Sequence, residues 1–319
     1  MENIVAITGG TGFIGGTLIK RLASTGWQVQ ALIRPASTHK QPGGGAVRWI
    51  QGELEDGDSL ARLVQGADAI VHCAGAVRGA TPADFNRINV DGVARLIQAA
   101  TRQQPPPRFL LISSLAAREP QLSAYATSKQ QGERVLMEAS AGMDWTVFRP
   151  PAVYGPGERE MMPLLRWMAK GVAPLPGSGK GRFAMLHAED LADAVIKWLD
   201  HCRDQRLTYE LHDGHPAGYS WQEVIQTIAR LRSAPVTPIK VPLALMKLMA
   251  TINLAAACTI GYAPMLTPGK IREICHPDWT ADNTALCQST GWSPKIDLTE
   301  GLRRTLKLDG ASAGGNDSL

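Results

Sequence analysis

The feature that most constrains this chain is a glycine-rich turn directly after its first apolar run. Residues 4–7 are short, apolar and rich in β-branched side chains, and the sequence TGGTGFIG follows at residues 8–15. Such a run is typical of a buried parallel strand, and apolar residues at helical spacing after Phe13 predict the helix that crosses back over the sheet. This order of strand, glycine turn and helix predicts an α/β fold, a Rossmann-type doubly wound parallel sheet.

The glycines of this turn have distinct expected tasks. Gly9 allows the tight bend, Gly12 lets the backbone approach a pyrophosphate, and Gly15 lets the helix pack closely on the strand. The N-terminus of the helix offers unpaired N–H groups to the anion. We therefore expect a bound dinucleotide, although the spacing is G-x-x-G-x-x-G and a plain glycine-rich turn is the alternative. The expected contacts in this turn are Gly9, Thr11, Gly12, Phe13, Ile14 and Gly15.

Composition excludes several classes of function. The 319 residues are 44% hydrophobic and 19% charged, which is ordinary for a globular protein. The net charge of +4 is spread along the chain with no basic block, so we expect a small-molecule substrate and no nucleic-acid partner. The five cysteines are scattered, with no C-x-x-C pair and no histidine at metal-ligand spacing, which predicts reduced thiols and no metal site. Because the first strand starts at Ile4, no room is left for a secretory signal, and we expect a cytoplasmic protein.

The end of the second predicted strand bears on the choice of cofactor. Residues 27–33 alternate like a strand and end at Arg34 and Pro35. At this position an acid bonds the 2′-hydroxyl of the adenosine ribose, whereas an arginine accommodates a 2′-phosphate. Arg34 therefore predicts NADP(H) over NAD(H), and a solvated arginine at a strand end is the alternative.

Strands and helices continue to alternate along the chain. We expect further contacts with the cofactor where strands end, because open α/β sheets bind ligands beyond the carboxyl ends of their strands. His72, inside the fourth strand, is expected to pack there and not to act in catalysis. Predicted strands are 47–50, 69–75, 109–112, 145–148 and 207–212; predicted helices are 59–64, 85–100, 161–170, 187–199 and 221–231; 174–181 is a predicted loop. The expected contacts are Glu53, Leu54, Cys73, Ala74, Gly75, Pro150 and Val153.

A tyrosine and a lysine carry the expected chemistry. Tyr125 and Lys129 are four residues apart at the start of a predicted helix and so share one face. Reduction of a carbonyl needs a proton donor at the oxygen, and a free tyrosine with a pKa near ~10 is a poor one at neutral pH. The ammonium of Lys129 is expected to lower the pKa of Tyr125. An ordinary pair on a helix surface is the alternative.

The chain resembles the extended branch of the short-chain dehydrogenase/reductase superfamily, the NAD(P)-dependent epimerase/dehydratase group. The resemblance covers most of the chain and rests on motifs in this order: TGGTGFIG, HCAG, NVDG, SS before Y-x-x-x-K, RPPAVYGPG and HAEDLADAV. It implies that Ser114, the second hydroxyl of the serine pair, is catalytic with Tyr125 and Lys129, and that Lys129 also contacts the ribose. It further implies a Rossmann domain at 1–155 plus about 183–213, a smaller C-terminal substrate lobe at 156–182 and 214–308, and a flexible tail at 309–319.

An apolar segment at residues 239–266 falls in the expected substrate lobe. It predicts a bulky, lipid-like substrate such as a long-chain 3-keto compound or a steroid-like ketone. Flexible methionines would suit a lid over such a ligand; ordinary packed helices and a peripheral contact with a membrane stay open. A transmembrane helix is not expected, because Lys247, Asn253, Gly261 and Pro264 interrupt the apolar run.

The leading hypothesis is an NADP(H)-dependent ketone reductase or alcohol dehydrogenase. A nucleotide-sugar epimerase with NAD is the second, but only 11 positions separate Ser114 from Tyr125, where epimerases similar to this chain carry an insertion. A non-catalytic, cofactor-binding assembly subunit is the third, and the complete Ser, Tyr and Lys set argues against it. A homodimer stays open.

Overall fold

The centre of the fold is a sheet of seven parallel strands. A computed structural model describes residues 3–41, 47–140, 142–176, 179, 181–201 and 206–308. The strands of the sheet lie in the order 206–210, 145–149, 108–112, 69–72, 4–8, 28–33 and 47–51, and each of these neighbours pairs in parallel. The chain starts in the middle of the sheet, extends to one edge and then crosses to build the other, which is the doubly wound arrangement. The predicted fold class is confirmed.

The strands are β1 (Ile4–Thr8), β2 (Gln28–Ile33), β3 (Val47–Gln51), β4 (Ala69–His72), β5 (Arg108–Ile112), β6 (Trp145–Arg149), β7 (Ala152–Tyr154), β8 (Val172–Pro176), β9 (Arg182–Phe183), β10 (Met185–His187), β11 (Arg206–Glu210), β12 (Tyr219–Ser220), β13 (Thr237–Val241) and β14 (Asp278–Trp279). The helices are α1 (Phe13–Leu22), α2 (Gly57–Val64), α3 (Pro82–Asn89), α4 (Asp91–Ala100), α5 (Ala124–Ala139), α6 (Met162–Ala169), α7 (Ala188–His201), α8 (Trp221–Leu231), α9 (Leu243–Ile260), α10 (Pro268–Ile274), α11 (Thr284–Thr290) and α12 (Leu298–Leu306). Short 3₁₀ turns lie at Pro35–Lys40, Leu115–Arg118 and Pro120–Leu122.

Both faces of the sheet are covered by helices. Successive residues of β1 point to opposite faces, so that Val5 and Ile7 join one apolar core and Ala6 joins the other. The first core includes Leu18 of α1 and Trp198 of α7. The second is closed by α2, α4 and α5. Helices on both faces explain why the strands are nearly continuous apolar runs.

A third apolar core lies outside the sheet and belongs to a smaller lobe. It includes Met168 of α6, Ile228 of α8 and Leu302 of α12. Two strands of this lobe, β8 and β13, pair in parallel, while β12, β9 and β14 form a small sheet of their own. These elements fall largely in the ranges that the sequence assigns to the substrate lobe; the exact domain boundaries stay a prediction.

Two predicted elements differ in the structure. The helix expected at 85–100 is two helices, α3 and α4, with Val90 between them at φ −117°. Helix α3 begins earlier than expected because Thr81 caps it and Pro82 takes its first position. The loop expected at 174–181 contains the end of β8, whose pairing with β13 joins distant parts of the chain and leaves no local signal. Residues 42–46, Cys202 and the tail at 309–319 lie outside the described residues.

Helix α9 contains two of the polar residues of the apolar segment. Lys247 and Asn253 lie within it, and it continues through all 18 residues to Gly261, which adopts the left-handed conformation at φ +81°. The two polar side chains therefore interrupt the apolar run but not the helix. Within the described ranges α9 is the one helix whose length and mean hydropathy of 1.7 would suit a membrane span, and only 11% of it is buried.

Candidate active site

One large cleft lies at the carboxyl ends of the sheet strands. Its volume is about 1910 Å³, and residues that directly follow β1 to β6 line it on one side. The smaller lobe lines the other side, through residues such as Phe183, Trp221 and Met246. All of the predicted cofactor contacts except Lys129 line this cleft, and so do the candidate catalytic residues Ser114 and Tyr125. The structure thus brings the scattered sequence motifs together.

The glycine turn has the geometry that its sequence predicts. Gly9 adopts φ +71°, and a Cβ there would lie 2.7 Å from the backbone nitrogen of Ala74. A Cβ on Gly15 would lie 2.3 Å from the carbonyl oxygen of Gly9, so helix α1 can sit against the turn only with glycine at that position. Gly12 is the N-cap of α1 and provides no side chain as a cap, which leaves the first N–H groups of the helix available to an anion. This turn fits the pyrophosphate of a dinucleotide.

Ser123 and Glu273 fix the start of the helix that carries Tyr125. The Ser123 hydroxyl accepts a hydrogen bond from the backbone N–H of Ala126 at 2.9 Å, which caps α5 one residue before it begins. The same hydroxyl donates to Glu273, a buried carboxylate on α10 that also pairs with Lys270 at 2.8 Å. A local sequence pattern gives no sign of this link, since Ser123 and Glu273 are 150 positions apart.

Tyr125 is held as a neutral phenol. Its ring lies edge-on to Phe85 with ring centroids 6.1 Å apart. Burial raises the pKa of Tyr125 to about 12, while a hydrogen bond with Ser114 lowers it and the charge of Glu273 raises it. Desolvation of the phenolate dominates, so the expected effect of the Lys129 ammonium does not bring the pKa of Tyr125 below its ordinary value.

Lys129 lies behind the wall of the cleft. Its ammonium donates to the carbonyl oxygen of Ile112 at 2.9 Å, and a Cβ on Gly75 would lie 3.5 Å from its Nζ. Burial lowers the pKa of Lys129 to about 8, and the nearby charge of Glu133 opposes this shift. The absence of a side chain at Gly75 therefore leaves the positive charge of Lys129 close to the cleft surface.

The adjacent serines Ser113 and Ser114 have different hydrogen-bond partners, and Glu133 binds the first of them. Its carboxylate pairs with Arg149 at 2.5 Å and accepts a hydrogen bond from the Ser113 hydroxyl at 2.5 Å. Ser114, in contrast, caps the following turn by accepting from the N–H of Ala116 at 3.2 Å, and its hydroxyl also shares a hydrogen bond with Tyr125. This arrangement favours Ser114 over Ser113 as the hydroxyl that meets a substrate.

Two buried polar residues, His72 and Asn89, hold the wall of the cleft, and His72 was predicted to pack there. His72 is fully buried, with its Nδ1 2.7 Å from the hydroxyl of Thr8, and burial lowers its pKa to about 3. The amide of Asn89 exchanges hydrogen bonds with both backbone groups of Ala76 and donates to Ser128. Asn89 thereby fixes the loop that follows β4, which includes Gly75.

Sequence reasoning missed the charged groups on the substrate side of the cleft. The apolar side chains there, such as Met246 and Met249, belong to the segment at 239–266 that was predicted to cover the substrate. The spacing of Lys270 and Glu273, three residues apart on one helix face, was the sequence signal for one charged pair. The missed lining residues include Arg159, Arg182, Lys270 and Glu273.

Comparison with known proteins places the chain in a family. Residues 5–211 match the model of the NAD dependent epimerase/dehydratase family. The chain is 34% identical to a ceramide reductase of Caulobacter vibrioides, over 96% of this chain and 94% of the relative. It is 26% identical to a 2-alkyl-3-oxoalkanoate reductase of Stenotrophomonas maltophilia, over 97% and 99% of the two chains.

Solved structures confirm the fold. The UDP-glucuronic acid 4-epimerase of Bacillus cereus, in complex with its nucleotide sugar and NAD, superposes with a TM-score of 0.74 at 17% identity, over 96% of this chain and 98% of the other. At this identity the similarity concerns the fold alone. Taken with the family match and the site geometry, it leads to one conclusion: this chain belongs to the NAD-dependent epimerase/dehydratase family, in the extended branch of the short-chain dehydrogenases/reductases, and is an NAD(P)-dependent oxidoreductase.

Proposed function

We propose that this protein uses NADP(H) to reduce a ketone on a bulky, lipid-like substrate, such as a long-chain 3-keto compound or a steroid-like ketone. The observation that carries the proposal is the set of apolar side chains that line the same cleft as Tyr125. Met246 and Met249 of α9, followed by Met265 and Leu266, line the cleft that contains Tyr125. Flexible thioether side chains adapt to irregular apolar ligands. The names of the two reductases similar to this chain, which concern ceramide and an alkyl oxoalkanoate, support a lipid-like ketone.

The chain's own residues supply the proton and the orientation. A bound nicotinamide would supply the hydride for the carbonyl carbon. Tyr125, whose pKa near 12 keeps it protonated at neutral pH, donates its proton to the carbonyl oxygen, and Ser114 hydrogen-bonds the same oxygen. The positive charge of Lys129 behind Gly75 stabilises the tyrosinate that this transfer leaves. Oxidation of the alcohol runs through the same groups in reverse.

The cofactor preference can be tested at Arg34. Arg34 is exposed at the end of β2 and lines the cleft, where its guanidinium can bind a 2′-phosphate. In an Arg34→Asp variant the preference for NADP(H) over NAD(H), measured as the ratio of kcat/KM values, is expected to fall by about tenfold to hundredfold, because a charge-assisted hydrogen bond is lost and a like charge is introduced.

Arg48→Asp is the matched control for this change. Arg48 is exposed on β3, outside the lining of the cleft, and the substitution makes the same change in charge. Its cofactor ratio should stay at the wild-type value. A wild-type enzyme that prefers NAD(H), or an Arg34→Asp variant with an unchanged ratio, would contradict the role of Arg34.

A nucleotide sugar is the second candidate substrate. Arg159 and Arg182 line the substrate side of the cleft, and guanidinium groups are suited to binding a diphosphate. However, Arg182 already donates to the carbonyl oxygens of Ala217 and Gly218 and lies 3.5 Å from Glu223. These contacts favour a structural role for Arg182, so the lipid-like ketone remains the better supported substrate.

One assay separates the two candidates. Oxidation of NADPH is followed with 3-ketosphinganine, its N-acylated ceramide-type ketone, a 3-keto-acyl thioester, a 3-ketosteroid and UDP-galactose. We expect turnover with at least one of the four apolar ketones and none with UDP-galactose. Epimerisation of UDP-galactose, measured separately with added NAD, in the absence of turnover of any ketone would establish the alternative function.

A further inference from the structure

The largest set of exposed apolar side chains in the described residues lies on and beside α9. Of the twelve large apolar side chains that are more than a third exposed, eight fall at residues 239–262. Monomeric soluble proteins seldom expose a contiguous apolar patch of this kind without a partner. We call the helical part of this patch the α9 surface; it consists of Leu243, Leu245, Leu248, Met249, Ile252 and Ile260.

The opposite side of α9 is attached to the protein. Ala250 and Ala257 are buried, and Met246 and Asn253 are half-buried; these four positions are spaced by four, three and four residues and so form one stripe. The amide of Asn253 donates to the carbonyl oxygen of Leu266 at 2.8 Å. The inner stripe therefore consists of two alanines, an asparagine whose amide is satisfied, and Met246, which lines the cleft, whereas Leu248 and Ile252 lie on the opposite side of the helix.

This attachment decides how α9 can meet a bilayer. Eighteen residues of helix are about 27 Å long, close to the ~30 Å of a hydrocarbon core, so length alone would allow a span. A span would separate Asn253 from Leu266 and withdraw Met246 from the wall of the cleft. A helix that lies flat in the membrane interface keeps both contacts and buries the outer side chains.

The charged side chains around the α9 surface indicate which lipid headgroups it would bind. Residues 237–272 contain no acidic residue, and the exposed Lys240, Lys247 and Arg272 flank or interrupt the apolar face. Cationic side chains beside an inserted apolar face favour anionic lipid headgroups. The same charges would repel one another if two copies of this surface met face to face.

We propose that the α9 surface docks the protein flat on an anionic lipid bilayer. Met246 and Met249 line the cleft from the same helix, so the cleft opens beside the docked surface. A lipid substrate would then enter from the bilayer without crossing water; this route rests on the function proposed above, whereas the docking does not. The proposal also locates the protein in the cytoplasm, bound to the surface of a membrane.

Vesicle flotation with the full chain tests the docking. We expect the wild-type protein to float with vesicles of phosphatidylglycerol and phosphatidylcholine, to float much less with phosphatidylcholine alone, and to be released partly by salt. The double variant Leu248→Glu/Ile252→Glu places two charges where side chains are 57% and 60% exposed, and should lower the bound fraction at least about tenfold. Neither residue lines the cleft, so cofactor binding should be unchanged.

Met137→Glu is the matched control for this variant. Met137 is 42% exposed on α5, away from α9, and its replacement by glutamate should leave flotation at the wild-type level. Equal loss of flotation in this control would show a general effect of charge and would overturn the assignment of the surface.

A second measurement uses the wild-type chain alone and so does not depend on the folding of a variant. Cys258 is exposed on α9, and its alkylation rate can be followed by peptide mass spectrometry. Anionic vesicles should slow this alkylation about tenfold or more because the thiol becomes buried in the interface. No flotation of the wild-type protein, or an unchanged alkylation rate of Cys258, would overturn the proposal. So would a stable dimer that does not float and that the double variant dissociates, since the α9 surface would then join two copies.

Because no arm of this experiment measures turnover, its outcome is independent of the ketone assay. A protein that floats but reduces none of the ketones would leave the docking intact and refute the proposed reaction. A protein that reduces a ketone but fails to float would do the opposite.

Discussion

Replacing Tyr125 with phenylalanine is expected to lower kcat at least about hundredfold, because a positioned general acid typically contributes that much or more. The variant loses only the hydroxyl that would donate the proton. The ring keeps its edge-on contact with Phe85, and α5 keeps its cap from Ser123, so the shape of the cleft should be unchanged. The affinity for the dinucleotide, measured by fluorescence titration, should stay within about threefold of wild type, since a lost neutral hydrogen bond changes binding little.

Tyr219→Phe is the control that shows whether the loss of kcat is specific to the hydroxyl of Tyr125. Tyr219 donates its hydroxyl to Asp213 at 2.8 Å and does not line the cleft. Its variant should keep wild-type kcat. Retention by Tyr125→Phe of more than about a tenth of wild-type kcat would mean that another group donates the proton.

The pH dependence of reduction follows from the environment of Tyr125. Its pKa near 12 lies above the usual value of about 10, so the phenol stays protonated across the neutral range. The rate of reduction should therefore not fall near neutral pH through ionisation of Tyr125. A loss of activity with an apparent pKa near 8 would instead report Lys129, whose charge disappears there.

The parts of the site that can be predicted from sequence are those whose conformation depends on residues close together in the chain. The turn from Gly9 to Gly15 can be predicted because a left-handed residue and a close helix approach both require glycine, whatever surrounds them. The repeated alternation of strand and helix likewise predicts a parallel sheet, because each parallel pair needs a crossover. The strand ends then bring Glu53, Cys73, Ser114 and Pro150 to one edge without further information.

The parts that sequence does not predict depend on contacts between distant segments. Glu273 meets Ser123 only because α10 packs beside the start of α5. Lys129 shares a helix face with Tyr125, as its spacing predicts, yet its ammonium turns behind Gly75 to the carbonyl of Ile112. Helical spacing specifies which residues are neighbours, but it does not specify which of them the chain desolvates. The rise in the pKa of Tyr125 through burial therefore could not be predicted from the spacing of Tyr125 and Lys129.

The apolar segment shows a different limit of sequence reasoning. Lys247 and Asn253 were expected to break it, since polar groups weaken a continuous apolar run. In the structure Lys247 points outward into solvent, and Asn253 faces inward where Leu266 accepts its amide hydrogen. Sequence shows that these two residues are polar, but the side of the helix on which Asn253 lies depends on its contact with Leu266, 13 positions away.

Replacing Lys129 with methionine is expected to abolish activity and at the same time to stabilise the fold near neutral pH. Burial lowers the pKa of Lys129 from its ordinary value of 10.5 to about 8. Since a tenfold change in proton affinity corresponds to about 1.4 kcal/mol, the buried charge costs the folded state on the order of 3 kcal/mol. Methionine fills a similar volume without a charge, and Glu133 keeps its ion pair with Arg149.

The sign of the pH effect follows from proton binding. Between about pH 8 and 10.5 the unfolded chain holds a proton on Lys129 more often than the folded chain does, so wild-type stability contributed by this group rises with pH. Below that range both states are charged and the cost is fully present. The advantage of Lys129→Met in free energy of unfolding, about 1 to 3 kcal/mol near pH 7, should therefore shrink as the pH approaches 10.5.

Urea denaturation of the two proteins at neutral and alkaline pH measures this difference, with Lys197→Met, a change at an exposed lysine of α7, as the control. We expect kcat of Lys129→Met to fall at least about hundredfold, as for loss of the proton donor, because no charge remains behind Gly75 to stabilise the tyrosinate. A variant that is less stable than wild type by the same amount at both pH values would show that the hydrogen bond to Ile112 outweighs the desolvation of the ammonium. If Lys129→Met has a higher free energy of unfolding and a lower kcat than wild type, the charge of Lys129 destabilises the fold but is needed for the reaction.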